Sequence, residues 1–421
     1  MRVNIIAAGS RGDVQPMVAL GVGLQRAGHT VTICAGDDFE DLVTGHGVGF
    51  VPAGLRIDEL IASPLGVAWL GESSRSPWHE LAAMRRLVRS TVQEYAGAWV
   101  PLVGSADLWV SGFLTVHAVD AMVAVGGGRH VTTEFAPMRP TREGWAGLQP
   151  PLPRRSSVVN SIAGHALLRT VAAVVGIAGD EVRAELGLAP TGRRGVLEAI
   201  RRTPALLAAS PVVVPPAHDW GGNPAVTGYW FLDDDAGFVP DPRLADWVGD
   251  GRRGSGALRG PAYVGFGSMS TRDARALGEL VARSARAAGV RVVLHSGSAG
   301  LESHDDEWVH AVGPVPHGWL FPRMTGVVHH GGAGTTGAAL RAGVPQAVVA
   351  HIGDQPYWGR RVWELGVAAR PVQRHALSQE WLTAVLRGFA RGEGAERAAV
   401  VGASIRQEDG VGRAVELLSA R

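Results

Sequence analysis

An α/β chain of two doubly wound domains is the architecture this sequence predicts, on three observations. Short apolar, strand-like runs alternate with helical patterns in both halves, which is the mark of βαβ units and parallel sheets. The 421 residues are too many for one ordinary core and suit two domains of roughly 200 residues each. One stretch, 210–224, carries four prolines and breaks the alternation. The reading therefore divides the chain into an N-terminal domain over 1–210, a linker over 211–224, a second domain over 225–395, and a C-terminal helical segment over 396–421 that packs back toward the first domain.

The elements follow in order. Val3–Ala8 reads as a buried strand and Val14–Ala27 as a helix, with Val18, Leu20, Val22 and Leu24 interleaved along it. Thr30–Ala35 and Val48–Val51 are the next strands. The region 55–80 is less regular and carries Trp69 and Trp78; a long helix follows, then strands at Leu108–Val110 and His130–Thr133. Residues 136–156 are rich in Pro and Arg without clear periodicity and read as a loop, ordered or mobile. Beyond the linker, strands are expected near Ala262–Phe266, Val290–Leu294, Gly326–His329 and Gln346–Ala350. Gly251–Gly256 reads as a flexible surface connection, and the Arg pairs at 85–86 and 201–202 as solvated helix faces.

Composition excludes several classes. Hydrophobic residues make up 46% and charged residues 19%, so the chain is not disordered. A net charge of +1 gives no basic stripe for nucleic acid. All 40 basic residues are arginine, which removes lysine-based chemistry. Cys34 is the single cysteine, so no intramolecular disulfide or cysteine-based zinc site forms; it ends an apolar strand and reads as a buried thiol. The N-terminus enters a strand without a signal-peptide pattern, and no uninterrupted apolar run approaches the length of a membrane span. The expectation is a cytoplasmic protein without a transmembrane helix.

The most informative stretch is Val327-Val-His-His-Gly-Gly-Ala-Gly-Thr-Thr336, followed by Gly353-Asp-Gln-Pro-Tyr-Trp-Gly-Arg-Arg361. Two apolar residues deliver a histidine pair and a glycine-rich turn to the start of a helix. Small residues let backbone approach an anion, and the unpaired first-turn N–H groups with the helix dipole make an anion seat. No Lys-Ser/Thr follows the glycines, so this is not a P-loop, and no G-x-G-x-x-G is present here. A donor imidazole at the mouth of the turn suits a pyrophosphate that must leave carrying charge, as in a nucleotide sugar.

Taken with Val315-Pro-His-Gly-Trp-Leu-Phe-Pro322, this stretch resembles the donor signature of glycosyltransferase family 1, above all its bacterial natural-product and sterol glucosyltransferase members. Gly9-Ser-Arg-Gly-Asp-Val-Gln-Pro16, Val226–Asp233, Tyr263–Met269 and Glu408–Val415 are similar to further family segments and occur in the family's order. The resemblance implies the GT-B fold. In such sheets ligands bind outside the carboxyl ends of the strands, so both domains are expected to face a shared cleft.

The resemblance also implies roles. Asp13, which position alone splits evenly between a helix cap and a functional residue, matches the catalytic base, a place held by histidine in many relatives. The aspartate that orients such a histidine is replaced here by Gly112, consistent with a carboxylate base; Asp107 reads as a strand-end residue. His330 is the expected diphosphate ligand, with amides and a hydroxyl from Gly332, Ala333, Gly334 and Thr335. Ser268 is a further phosphate contact or a turn hydroxyl. His329 faces the opposite way and reads as structural. Asp354 and Gln355 match the pair that grips sugar hydroxyls, and His317 and Leu320 the segment holding the nucleotide base; Trp319 stacks there or fills core, and Trp358 packs in its helix. Trp69, Trp78, Phe113, Phe135 and Trp145 favour an apolar acceptor. Asp233-Asp-Asp235 invites a metal, but the leaving charge is already met by His330 and the helix N-terminus, so neither metal nor cofactor is expected.

The function so predicted is an inverting transfer of a sugar from a UDP- or TDP-linked donor to a hydroxyl of a hydrophobic small molecule, a natural-product aglycone. A sterol or lipid acceptor is the alternative. A nucleotide-sugar epimerase and a non-catalytic helper are the rival classes; the aromatic first half speaks against the one, and the presence of both Asp13 and His330 against the other.

Overall fold

The computed structural model describes residues 1–72, 77–149, 156–221, 224–233, 237–249, 260–266, 274–295 and 307–420. The chain forms two compact units, 1–232 with 409–421, and 233–408.

The first unit is built on seven strands: β1 (Arg2–Ile6), β2 (Thr30–Ala35), β3 (Gly49–Pro52), β4 (Leu108–Gly112), β5 (Arg129–Glu134), β6 (Ala205–Leu207) and β7 (Ala225–Val226). Every pairing is parallel, in the order β3-β2-β1-β4-β5-β6-β7. Such strands are covered on both faces, which explains their near-continuous apolar runs. On one face the helix Arg11–Arg26 lays Val14, Met17, Val18, Leu20 and Leu24 against Val3, Ile5, Val31 and Ile33. On the other, Ile6, Cys34, Trp99, Trp109 and Met122 form a second core. Cys34 is 1% exposed and burial pushes its thiol up to about 12, so it is inert packing.

The division between units falls after Leu232, not within 211–224. The proline-rich stretch does not become a linker because it is part of the first core: Val213, Val214 and Trp220 are buried, and β7 beyond it pairs with β6. Of the expected C-terminal segment, the helix Gly410–Ser419 belongs to the first unit, where Val411 and Val415 press on Gly23. The helix Ala395–Arg406 belongs instead to the second unit, packing on Ala333–Ala342.

One helix, Val158–Glu185, is long and apolar enough to cross a membrane by length and composition alone. Asn160, His165 and Arg169 interrupt the run and hide it from a search for unbroken apolar sequence. Its later turns bury Val171, Ala172, Val174, Val175 and Val182 in the first unit's cores.

The second unit carries β8 (Ala262–Gly265), β9 (Val292–His295), β10 (Val309–Val312), β11 (Val327–His329), β12 (Gln346–Ala350) and β13 (Val372–Gln373), all parallel, in the order β10-β9-β8-β11-β12-β13. Each sheet reverses its strand order once, between β1 and β4 in the first and between β8 and β11 in the second. Ligands of open α/β sheets bind outside the carboxyl ends of the strands at such reversals. Gly251–Gly256 lies outside the described residues.

Candidate active site

At the first reversal the chain leaves β1 through Gly9, whose φ of +131° suits only glycine, and enters the helix Arg11–Arg26. Asp13 sits in the first turn. One carboxylate oxygen accepts from the Ser10 backbone N–H at 2.9 Å and from the Ser10 hydroxyl at 3.2 Å, the reach-back bond of a capping box. Burial outweighs both bonds and raises its pKa from 3.8 to about 6. The capping reading and the functional reading are therefore satisfied by the same side chain: one oxygen is held, and the carboxyl is poised near the pH at which a general base works. Gly112 closes β4, the strand next to β1, its N–H bonded to Thr115 Oγ1 at 3.0 Å. Asp107 lies at the other end of β4, paired with Arg2 at 2.9 Å on the surface.

At the second reversal, β11 ends in His329 and leads to His330. The rings stand 86° apart. His329 is fully enclosed: its Nδ1 accepts from the Gly331 N–H at 3.0 Å, which makes Nε2 the donor to Gln346 Oε1 at 2.8 Å. Burial and the His330 ring hold it down at about 3, so it is a neutral structural link between β11 and β12. Burial likewise lowers His330 to about 4, leaving a neutral imidazole at neutral pH. A Cβ on Gly332 would come within 2.5 Å of His330 Nε2, so this ring lies directly over the N-cap of the helix Ala333–Ala342. Gly331 needs its φ of +92° and has Val348 and the Gln355 carbonyl packed against it. The first intrahelical bond runs from the Thr336 N–H to Gly332, so the N–H groups of Ala333, Gly334 and Thr335 have no helical acceptor. Imidazole, amides and helix dipole converge on one anion seat. Ser268 lies outside the described residues.

Asp354 and Gln355 open the next helix, Gln355–Glu364, just past β12. Asp354 Oδ2 accepts from the Trp358 indole at 2.8 Å. Gln355 Oε1 accepts from the backbone of His351 at 2.7 Å and of Ile352 at 3.1 Å. Both side chains are thus pre-oriented by their own loop. The nucleotide-base segment divides: His317 is half-buried and stacks on Phe321 at 4.2 Å, whereas the Leu320 side chain is inside the core with Phe321 and Met324, so only its backbone remains for a ligand. Trp319 lies edge-on to Phe238 and under the Arg323 guanidinium.

The acceptor aromatics are not equivalent. Phe113 directly follows β4 and Phe135 directly follows β5; both are half-buried, Phe135 edge-on to Trp230. Trp145 is 4% exposed, a core residue rather than an open lining, and Trp69 is half-buried. The Trp78 side chain lies outside the described residues. Buried groups tie down the loop after β5: Arg139 Nε donates to Glu134 Oε1 at 2.7 Å, its Nη1 to the Ile200 carbonyl at 2.6 Å, and Thr141 bonds Asp219. That buried ion pair was not read from the sequence, because residues five apart in an aperiodic loop carry no pattern. Tyr95 was also passed over. It stacks on Trp99 at 4.8 Å at the edge of the core that holds Ile6 and Cys34, and burial and then the Asp13 charge raise its phenol.

For the aspartate run, Asp233 pairs with Arg341 at 2.7 Å, while Asp234 and Asp235 lie outside the described residues. Among the described residues no group of three or more His, Cys, Asp or Glu is arranged to hold a metal.

Comparison with known proteins matches both units. The model of the glycosyltransferase family 28 N-terminal domain covers residues 3–111, and that of the erythromycin biosynthesis protein CIII-like C-terminal domain covers 284–408. Sterol 3-beta-glucosyltransferases of Debaryomyces hansenii and Arabidopsis thaliana are each 29% identical over 99% of the chain. The chain spans 26% of the first protein's length and 67% of the second's. Among solved structures, the Streptomyces sp. SF2575 glycosyltransferase SsfS6 aligns over 100% of both chains with a TM-score of 0.64 at 21% identity. Glycosyltransferase VinC, in complex with DTDP, aligns over 99% of this chain and 98% of its own with a TM-score of 0.69 at 22% identity. Two Rossmann-like sheets with matching family segments at each reversal leave one assignment: the chain belongs to the glycosyltransferases of the GT-B fold.

Proposed function

We propose that this glycosyltransferase moves a sugar from a UDP- or TDP-linked donor to a hydroxyl of a hydrophobic small molecule, with inversion at the anomeric carbon and without a metal. The donor diphosphate is taken by His330 and the amides of Ala333, Gly334 and Thr335, and the sugar by Asp354 and Gln355. The acceptor lies on the first unit near Phe113 and Phe135. Its hydroxyl attacks the sugar C1 from the face opposite the diphosphate while Asp13 takes the proton. A neutral imidazole donating to an anionic oxygen, with oriented amides, stabilises the departing charge without reorganising.

The observation that carries this reading is the Asp13 carboxyl, lifted to about 6 by burial at the carboxyl end of β1. A merely structural cap gains nothing from such a shift; a base for an alcohol does. For the acceptor, a natural-product aglycone and a sterol are both supported: the former by the match of residues 284–408 to the erythromycin biosynthesis protein CIII-like domain, the latter by relatives named sterol 3-beta-glucosyltransferases, which match 99% of the chain. The test is a matrix of UDP- and TDP-sugars against polycyclic alcohols, sterols included, with the anomeric configuration of each product read by NMR. An α-linked donor yields a β-glycoside under this mechanism. A retained configuration, or isomerisation of the donor with no transfer, overturns it.

A further inference from the structure

The geometry points to Arg374 as a specificity-determining residue of the donor site, reading a sugar hydroxyl remote from the anomeric carbon. This rests on the donor seat proposed above and deepens it.

Strand order sets the layout. The diphosphate seat follows β11, and the sugar pair Asp354 and Gln355 follows β12. Arg374 follows β13, the next strand outward. Neighbouring strands are roughly 4.8 Å apart, so Arg374 stands about 10 Å along the sheet edge from the phosphate seat, on the far side of the sugar pair. The register confirms its neighbour: Ala350 pairs with Gln373, which makes His351 and Arg374 the next residues along the two strands.

His351 is 7% exposed, sits edge-on to Phe266 at 5.7 Å, and gives its backbone N–H to Gln355. Burial, then the Arg374 charge, hold its imidazole at about 3, so it stays neutral and sets no positive charge against Arg374. Arg374 itself is half-buried, enough to depress its pKa; its carbonyl accepts from the Leu377 N–H at 3.1 Å, while its guanidinium makes no hydrogen bond or ion pair among the described residues.

A guanidinium only donates, and none of the Arg374 nitrogens is among the enclosed, unpartnered side-chain atoms of the described residues, so they stay open to an acceptor from outside the chain. What it lacks is an oxygen acceptor. A sugar held at C1 near His330 and gripped midway by Asp354 and Gln355 presents its O4 or O6 at that distance. A deoxysugar lacking the matching hydroxyl leaves the guanidinium unmet. Sites built to bond a substrate hydroxyl discriminate strongly against the analogue without it. The donor class this selects is the fully hydroxylated nucleoside-diphosphate hexose, over 4- or 6-deoxy sugars.

The test needs no acceptor. Calorimetry on the full chain compares UDP-glucose and TDP-glucose with their 4-deoxy and 6-deoxy analogues and with bare UDP and TDP, for the native protein and Arg374→Met. The native protein is expected to bind the hexose roughly tenfold to a hundredfold tighter than one of the deoxy analogues, the scale of one charge-assisted bond. Arg374→Met should bring that ratio below about threefold by weakening the hexose alone, with bare nucleotide affinity unchanged, which also certifies the fold. Equal native affinity for the hexose and both deoxy analogues overturns the inference. So does an equal loss for bare UDP and TDP in the variant, which assigns Arg374 to the diphosphate. Native protein that binds no nucleotide at all defeats the donor seat itself, a separate failure.

Discussion

Replacing Asp13 by asparagine separates a catalytic carboxylate from a helix cap, because the two readings predict opposite signs for stability. Asp13 has its pKa raised from 3.8 to about 6 in the fold. A folded-state pKa above the unfolded one means that the protonated form is favoured by folding. The group's contribution is fully present below pH 3.8 and is lost as pH rises through 6. At pH 8 the ionised, half-buried carboxylate costs up to about 3 kcal/mol, the equivalent of a shift of roughly two pKa units. Asparagine keeps an oxygen for the Ser10 N–H and hydroxyl and carries no charge. It should therefore stabilise the first unit at pH 8 by up to about 3 kcal/mol, less what the Ser10 bonds lose when their acceptor is neutral.

For a unit of this size each kcal/mol moves the midpoint by about 2–4 °C. Thermal unfolding followed by circular dichroism should show the variant several degrees higher than the native protein at pH 8, with the gap closing near pH 4. Turnover should fall by roughly two to four decades, the scale of general-base removal. In the native enzyme kcat/KM should drop about tenfold per pH unit below about pH 6, and the variant should lose that limb. A variant destabilised at pH 8 with turnover intact would return Asp13 to a capping role and refute the reasoning.

His330→Ala should weaken binding of bare UDP or TDP and slow transfer, while His329→Ala, which severs the Gln346 and Gly331 links, should act on thermal stability; calorimetry showing the reverse assigns the faces wrongly. Gly332→Ala forces a methyl onto His330 Nε2 and should abolish diphosphate binding with little loss of helix content by circular dichroism. Transfer should survive EDTA; loss restored by magnesium or manganese would bring the aspartates at 233–235 back into consideration. Substitutions at Asp354 or Gln355 should change which sugar is accepted, and Phe113→Ala or Phe135→Ala the affinity for the acceptor, measured as KM for each substrate. Trp145→Ala should instead destabilise by about 3–5 kcal/mol, because its ring is enclosed.

Much of the fold was legible because parallel strands covered on both faces are apolar runs bounded by turn residues. Gln346–Ala350 is found at its expected bounds, and Ala262, Val327 and Leu108 start or lie within a residue of the start of their strands. The short edge strands β7, β10 and β13 were not, since two to four residues carry no periodicity that separates them from loop. The proline-rich stretch misled for a related reason. Proline disrupts regular structure but does not prevent burial, and Val213, Val214 and Trp220 show that an irregular segment can be core. Of the helices, Val158–Glu185 was obscured by the polar residues interrupting its apolar sequence.

The site was legible to the degree that its chemistry is local in sequence. His330, the glycines and the helix start that receives them form one continuous segment, and so do Asp354 and Gln355. Residues acting through strand register were not visible. His351 and Arg374 are 23 positions apart and meet only because β12 and β13 pair with Ala350 opposite Gln373. Tyr95 reaches the neighbourhood of Asp13 from a position 82 residues away, close enough for the Asp13 charge to raise its phenol. The aromatic residues illustrate the converse error. Trp145 invites an acceptor role by type and region, yet a large apolar ring is as useful for filling a loop's underside as for receiving a ligand, and here the loop is pinned from below by Glu134 and Arg139. Residue type alone decides neither case. Position at the carboxyl end of a strand does, and it favours Phe113 and Phe135, the first residues after β4 and β5, over every tryptophan in the first half.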